Sequence, residues 1–420
     1  MTRERPIRVG LLSPQSNRNL GDTATFAAAI AAYRRRLPAI ELVVVVPEPE
    51  ESARLLGTAG FPLYGDGSFV PVTAAAEDCG PFQQARLPGR LSAMCRVRTF
   101  VGELDAIVFT GGGLLDDFWG GPWMLPFWVF VWVAAARMRG TKVLFHAIGY
   151  DRLSSRTSRA LMMSALRLAH YRSFRDVESL DLLRGMGLSD ACEVIPDLAF
   201  ALDMPPAENL RLAASRRYVI VNPVSERMWT HGHDGSYGAY LDAFVALSRE
   251  LLDRGLEVKL LSTQDRMDAD AIAYVADALR KQGRTNWDRV HVTRLDHFMA
   301  LARQASCVVS SRLHGLILAL VAGTPAVSVA PMRKIARVMI DVGLGDLNLD
   351  MRTLRGDALI ANVSRALANE ERLRCHVAQT VAEYRQRLNA NFDRLIADGL
   401  LGERARRQFG VSGQLTTWSA

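Results

Sequence analysis

Arg312 and His314 stand in the run Ser310-Ser311-Arg312-Leu313-His314-Gly315, after the apolar Cys307-Val308-Val309 and before the apolar stretch Leu316–Ala322. That order predicts a strand emptying onto the first turn of a helix. Helix N-termini carry unpaired N–H groups and the positive end of the macrodipole, so such a junction suits an anion. Arg312 adds a planar fork for phosphate or carboxylate. His314 adds a proton that moves near neutral pH. Gly323-Thr324-Pro325 turns the chain into a second apolar run, and Lys334 follows as a further cation from that strand's end. Arg333 and Arg337 compete with Lys334 for this task. The chemistry such a set can do is proton transfer beside a held anion. The plain alternative is a helix start in which Arg312 binds a neighbour and His314 packs.

Three further stretches carry residue types of interest. Asn19-Leu20-Gly21-Asp22 follows the first strand; Gly21 lets backbone approach a ligand, and Asp22 can accept hydrogen bonds from hydroxyls or cap the helix, as can Thr23. Gly111-Gly112-Gly113 ends another strand, bringing backbone N–H groups to a ligand or merely allowing close packing, with Asp116 and Asp117 just beyond. It lacks the G-x-G-x-x-G spacing and the later acidic residue of a dinucleotide site. Arg175-Asp176-x-x-Ser179 reads on its own as a capped helix start. Weaker signals are Pro196-Asp197, Thr263-Gln264-Asp265, Trp119 and Trp123, which could stack on a sugar face, and Thr230-His231-Gly232-His233-Asp234. The two histidines of the last are too close in sequence for a dependable metal pair and suggest a loop over the cleft. No metal site is expected.

These motifs together resemble the polysaccharide pyruvyl transferases, from about Arg8 to about Gly345. The resemblance rests on Asn19-x-Gly21-Asp22, Gly111-Gly112-Gly113, Arg175-Asp176-x-x-Ser179, Pro196-Asp197, Ser310-x-Arg312-x-His314-Gly315, the Gly-x-Pro turn and Lys334. It implies a GT-B-like fold and transfer of the pyruvyl group of phosphoenolpyruvate to two hydroxyls of a sugar or glycan precursor, forming a cyclic ketal and releasing phosphate. His314 is then the expected acid and Asp22 the expected base. Arg175, Arg312 and Lys334 are expected to hold phosphoenolpyruvate, with Asn19, Gly21, Gly112, Gly113 and Asp117 as further substrate contacts. No cofactor is needed beyond phosphoenolpyruvate as co-substrate. Two competitors are a glycosyltransferase using a nucleotide sugar and a pyruvyl-transferase-like protein that binds without turnover. The first would want an acidic residue for ribose hydroxyls between Gly315 and Lys334, and there is none. Against the second stand the intact Arg175, Arg312, His314 and Lys334. On this basis His314→Ala and Arg312→Ala are each expected to abolish phosphate release while leaving the fold intact.

The elements that must position these residues alternate strand and helix, as in doubly wound α/β proteins. Strands are expected at Arg8–Leu12, Ile40–Val46, Leu104–Thr110, Lys142–Ile148, Tyr171–Phe174, Tyr218–Asn222, Leu256–Leu261, Val290–Val292, Cys307–Val309 and Ala326–Val329. The fold class expected is α/β, with two Rossmann-like domains flanking an interdomain cleft. Residues 1–204 form the acceptor side, 205–350 the phosphoenolpyruvate side, and 351–420 are C-terminal helices and a polar tail. The 420 residues suffice for two domains. A hydrophobic content of 49% and charged content of 23% are those of a water-exposed globular chain. The net charge of +7 suits an anionic substrate or a lipid-headgroup surface. Basic residues do not gather with aromatics as in nucleic-acid binders. The five cysteines lack CxxC spacing, which suggests reduced thiols and a cytoplasmic setting. Residues 1–7 run straight into a strand, so no leader is expected. Pro122–Ala136 is apolar but shorter than the ~20 residues of a span, and reads as a buried helix. Peripheral contact with the inner membrane face and self-association stay compatible with the sequence.

Overall fold

The structure is a computed structural model describing residues 6–13, 19–47, 49–56, 58–63, 87–118, 120–189, 191–204, 217–226, 236–264, 266–330 and 332–400. The His231-Gly232-His233 loop, Trp119, Asp265, the 205–216 part of the linker and the tail lie outside them. The chain divides into two compact units. The first comprises Met1–Asn17, Thr25–Ala201 and Gln386–Ala420; the second comprises Arg18–Ala24 and Leu202–Arg385. The C-terminal helices that the sequence sets apart are therefore shared, the 386–400 segment going to the first unit and the part before it to the second.

In chain order the first half carries β1 (Arg8–Leu12), α1 (Leu20–Arg36), β2 (Glu41–Val46), α2 (Pro49–Leu56), β3 (Ala59–Pro62), α3 (Leu87–Val101), β4 (Ala106–Thr110), β5 (Leu115–Asp116), α4 (Leu125–Arg139), β6 (Lys142–Ile148), β7 (Tyr150–Arg152), α5 (Arg156–Leu168), β8 (Tyr171–Phe174), α6 (Val177–Gly185) and β9 (Glu193–Val194). The second half carries β10 (Tyr218–Asn222), α7 (Ser236–Asp253), β11 (Glu257–Leu260), α8 (Ala269–Lys281), β12 (Trp287–Arg289), α9 (Leu295–Gln304), β13 (Cys307–Ser310), α10 (Leu313–Val321), β14 (Ala326–Ala330), α11 (Arg333–Asp341), β15 (Asn348–Asp350), α12 (Gly356–Ala368) and α13 (Glu370–Arg394).

Seven strands of the first unit form a parallel sheet in the order β3-β2-β1-β4-β6-β8-β9, and six of the second follow β12-β11-β10-β13-β14-β15. Both are doubly wound orders that reverse direction beside the first strand. Ligands of such sheets gather at the carboxyl ends of the two strands flanking the reversal. Those strands are β1 and β4 in the first unit, β10 and β13 in the second. The glycine triplet follows β4, and Ser311-Arg312 follows β13, whose last residue is Ser310.

Central strands buried on both faces read as continuous apolar runs, which is why β1, β6, β10 and β14 were legible in sequence. The edges were not. The strand expected at Val290–Val292 is Trp287–Arg289, paired with Val258–Leu260, and its half-exposed residues lack the apolar run. Both β15 and the short β5–β7 pair were missed for the same reason. The apolar segment expected to be a buried helix is α4, whose Trp132 is fully buried and donates from Nε1 to Leu63 O at 2.7 Å.

Beneath the first sheet lies a polar knot. His146 is fully buried, and its Nε2 lies 2.9 Å from Asn391 Oδ1. An amide oxygen only accepts, so Nε2 carries the proton. Asn391 Nδ2 in turn donates to Tyr171 Oη and Glu193 Oε2, at 2.8 and 2.9 Å. The other ring nitrogen, Nδ1, is buried with no hydrogen-bond partner among the described residues. Burial therefore holds the imidazole neutral, pulling its pKa down to about 4, while Asn391 opposes the shift. A lowered folded-state value means that the unfolded chain binds the proton first as pH falls. The stabilisation is present in full above about 6.5 and drains away down to about 4, with a limiting slope of ~1.4 kcal/mol per pH unit. Melting temperatures of wild type and His146→Gln between pH 7.5 and 4.5 check this: the wild type should lose the more.

Candidate functional site

At the reversal point of the second sheet, β10 and β13 are tied where they end. Ser310 Oγ donates to Asn222 Oδ1 at 3.0 Å, and Ser311 N donates to Asn222 O at 3.1 Å. Ser310 Oγ also accepts from Arg312 N at 3.0 Å, which turns the chain into α10. Tyr240 Oη lies 2.9 Å from Ser311 Oγ and accepts from Val224 N at 2.8 Å, pinning both loops to α7. A Cβ on Gly315 would press on Ser310 Oγ and Asn222 Oδ1, so this glycine lets the first turn of α10 settle on the strand ends.

Arg312 is the N-cap residue of α10, and its guanidinium is spent on a protein partner. Its Nε and Nη2 donate to the two oxygens of Asp268, at 2.9 and 2.6 Å. Asp268 is fully buried and also accepts from Ser225 N at 3.1 Å and from Ser262 Oγ. The expectation that this fork holds a ligand meets a bidentate carboxylate already in place. Sequence reasoning missed Asp268, although the adjoining Thr263-Gln264-Asp265 had been singled out. The available signal was physical: an arginine amid so apolar a helix start needs an acidic partner.

His314, one residue further, is 9% exposed. The segment holding Asn19, Gly21 and Asp22 belongs to the same unit. Leu20 N donates to Thr263 O at 3.1 Å, fixing the start of α1. Asn19, rather than Asp22 or Thr23, caps this helix: its Oδ1 accepts from Gly21 N at 3.0 Å, and its carbonyl from Asp22 N and Thr23 N. Gly21 packs directly against His314, and a Cβ there would overlap ring atoms Cγ and Nδ1. Asp22, third residue of α1, is buried. The structure thus brings the sequence-selected Asn19-x-Gly21-Asp22 and Arg312-x-His314 together, with two helix N-termini at one imidazole.

Lys334 lies in the first turn of α11 rather than at a strand end, half-buried beside the exposed Arg333. Arg337 is paired with Asp341 at 2.9 Å on the same helix.

The first unit builds a second cluster. Gly111 and Gly112 adopt left-handed backbone, at φ 57° and 71°, where a side chain would be strained. Their backbone groups are used internally: Gly111 N donates to His146 O, and Gly112 O accepts from Gly149 N, both at 2.8 Å. Gly113 leaves room for Asp151, whose carboxylate a Cβ would overlap. Gly149 likewise makes room for Arg175. The Arg175 side chain is 5% exposed, with Asp197 at 3.3 Å, Asp176 at 3.7 Å and Asp151 at 3.9 Å. Burial disfavours its charge, but these three carboxylates outweigh burial and hold it protonated. A cation entering this acidic cluster would have to displace the guanidinium. Asp176 also caps α6, accepting from Ser179 N at 2.6 Å, as the plain reading of that motif had it.

Asp117 does not point to an unfilled role either. Burial alone would raise its pKa, yet hydrogen bonds from Ser154 N, Ser158, Ser155 N and Ser154 Oγ bring it below the ordinary carboxylate range. The Ser154 N bonds measure 3.0 and 2.9 Å. Asp117 therefore fastens the glycine loop to the entry of α5.

Residues 19–331 match the family described as polysaccharide pyruvyl transferase. The chain belongs to that family. Among curated proteins it is similar to the amylovoran biosynthesis protein AmsJ of Erwinia amylovora, with 28% identity over 237 residues. That match covers 50% of this chain and 54% of the relative, so the chain spans about half the length of the curated relative it matches. Among solved structures it is similar to a putative UDP-N-acetylglucosamine 2-epimerase from Listeria monocytogenes, with TM-score 0.60 and 13% identity over 95% of this chain and 98% of that one. It is also similar to the UDP-GlcNAc 2-epimerase of Methanocaldococcus jannaschii, with TM-score 0.57 and 10% identity over 86% and 93% of the two chains. Trehalose-6-phosphate synthase OtsA gives TM-score 0.53 and 14% identity over 93% and 98%. At such identities these likenesses establish the fold, a two-domain Rossmann-like α/β architecture of GT-B type. Within the pyruvyl transferase family match fall the glycine triplet, Arg175, Arg312 and His314; Lys334 lies just past its end.

Proposed function

We propose that this chain transfers the pyruvyl group of phosphoenolpyruvate to two hydroxyls of a sugar or glycan precursor, closing a cyclic ketal and releasing inorganic phosphate. The observation that carries the proposal is the side-chain-free Gly21 set against His314 where α10 begins. In this reaction the enol methylene takes a proton and becomes a methyl group. The neighbouring carbon gains oxocarbenium character, the first hydroxyl adds to it, the C–O bond to phosphate breaks, and the second hydroxyl closes the ring, its proton passing to the departing phosphate. His314 donates the proton to the methylene. The first-turn N–H groups of α10 and the Lys334 ammonium hold the phosphorylated acid. Asp22 takes the proton from the attacking hydroxyl.

Arg312 enters this scheme as a positioning residue. By gripping Asp268 it sets the start of the helix that bears His314. Arg175 orders Asp151, Asp176 and Asp197 around the glycine loop of the first unit. Phosphoenolpyruvate is a co-substrate, and the chemistry asks for no bound cofactor.

A phosphate-release assay with phosphoenolpyruvate and a panel of sugar acceptors tests the reading, with acceptor-dependent release as the expected result. Thermal shift gives a parallel measure. A ligand at a hundred times its dissociation constant adds ~2.7 kcal/mol to stability, so phosphoenolpyruvate should raise the melting temperature and UDP should not. Stabilisation by UDP with no effect of phosphoenolpyruvate would sink the proposal in favour of a nucleotide-sugar transferase.

A further inference from the structure

Three helices of the first unit share a charge pattern that the proposed chemistry does not use. The helix α3 carries three arginines, α4 two and α5 three, and none of the three contains Asp or Glu. They are packed in series, α3 against α4 and α4 against α5. Every other helix except the wholly buried α10 contains at least one acidic residue. Of the acids that follow α3, Glu103 is matched by the Arg8 guanidinium at 2.6 Å, and Asp105 is turned to the Arg8 backbone, accepting from its N at 2.9 Å.

Large apolar side chains are exposed on the same helices and at their ends. Leu91 of α3 is 56% exposed, Trp123 before α4 is 51% exposed and Met138 near its end is 69% exposed. Arg90 connects two of these elements. Its Nη2 donates to Trp123 O at 2.7 Å, and its guanidinium lies over the Phe127 ring at 4.5 Å. Among the described residues no helix is long and apolar enough to cross a membrane.

We infer that the α3–α4–α5 face docks on an anionic lipid bilayer. Arginines on helices that carry no carboxylate of their own are attracted to a negatively charged headgroup layer. The exposed indole and aliphatic side chains account for the choice of lipid over other polyanions. Tryptophan settles at the boundary between headgroups and acyl chains, and leucine and methionine gain by leaving water there. A nucleic acid or an acidic protein segment would answer the charge and leave these apolar groups wet. The inference does not depend on the pyruvyl-transfer reading, since its readout is binding.

The test is flotation of the full chain with vesicles of equal parts phosphatidylglycerol and phosphatidylcholine, against phosphatidylcholine alone. Binding is expected only to the first. One arginine near such a surface contributes roughly a fivefold gain in partition, so Arg96→Glu with Arg98→Glu should weaken binding at least roughly 25-fold. Both residues are exposed. Arg249→Glu with Arg372→Glu makes the same charge change at exposed positions of the second unit and should leave binding unaltered. Trp123→Ser should weaken vesicle binding while sparing any retention on polyuridylic acid. Melting curves establish that each variant folds. Should the α3 pair fail to fold, release of the wild type by about 0.5 M salt reads the same charge contribution. Equal binding to both vesicle types, equal losses in the two charge-reversal pairs, indifference to salt, or no effect of Trp123→Ser would each overturn the inference.

Discussion

His314→Gln should lower the rate of phosphate release roughly 10²–10⁴-fold, the range general acid catalysis contributes, while its melting temperature stays near that of wild type. Glutamine fills similar space and keeps a hydrogen-bonding tip, but it has no proton to give a carbon. A substitution that never touches the imidazole should act in the same direction. In the first turn of α1, alanine is the better helix former by ~1 kcal/mol, so on helix propensity alone Gly21→Ala would be harmless or stabilising. Its methyl group, however, would occupy the place of His314 Cγ and Nδ1. Either the ring swings away or α1 shifts, and both outcomes misplace the proton. The expected signature is a fall in turnover of about a hundredfold or more, as 1 Å misplacements of catalytic groups can produce. Steady-state phosphate release for both variants, set beside their melting curves, decides the matter. Wild-type turnover in either would remove His314 from the chemistry.

Much of this site was legible because it sits where doubly wound sheets reverse, and the strands leading there are continuous apolar runs. Cys307–Ser310 and Arg8–Leu12 needed no more than composition and order to be found. Glycines were legible as positions, and only coordinates gave them separate reasons. Gly111 and Gly112 are backbone requirements, whereas Gly21, Gly113 and Gly149 each clear space for one named side chain. What the sequence hid was the pairing of charges. Arg175 and Arg312 are the residues from which an anion site would be drawn up. Both prove to be gripped by carboxylates far away in the chain: Asp197 lies 22 positions from Arg175, and Asp268 44 positions from Arg312. A single sequence contains no record of such long-range partners. Asp117 gave the same lesson locally, since its bonds to Ser154 and Ser155 cross from the β5 loop to the α5 entry. Lys334 was displaced from a strand end to a helix start because the turn after β14 is short.

The Arg312–Asp268 pair carries the other large effect, and it revises the sequence-based expectation that Arg312→Ala leaves the fold intact. Asp268 is fully buried and the Arg312 side chain is 10% exposed. Removing one partner of a buried ion pair leaves the other charge uncompensated in a poorly solvated site and typically costs about 3–5 kcal/mol. Arg312→Met, which keeps the length and apolar bulk of the side chain, should therefore lower the melting temperature by on the order of 10 °C, taking about 2–4 °C per kcal/mol for a unit of this size. The serine hydroxyl and backbone N–H that also bind Asp268 temper this loss without replacing a guanidinium. Adding Asp268→Asn to Arg312→Met takes the stranded charge away while keeping an acceptor for Ser225 N. The double variant should recover most of the stability and little of the turnover, because the grip that sets the start of α10 is still missing. Urea melts of the two single variants and the double close a thermodynamic cycle, with a coupling energy expected at the upper end of the ~0.5–3 kcal/mol range for contacting residues. An Arg312→Met protein that melts like wild type but no longer responds to phosphoenolpyruvate would show the opposite: a guanidinium kept for the ligand, with Asp268 a bystander.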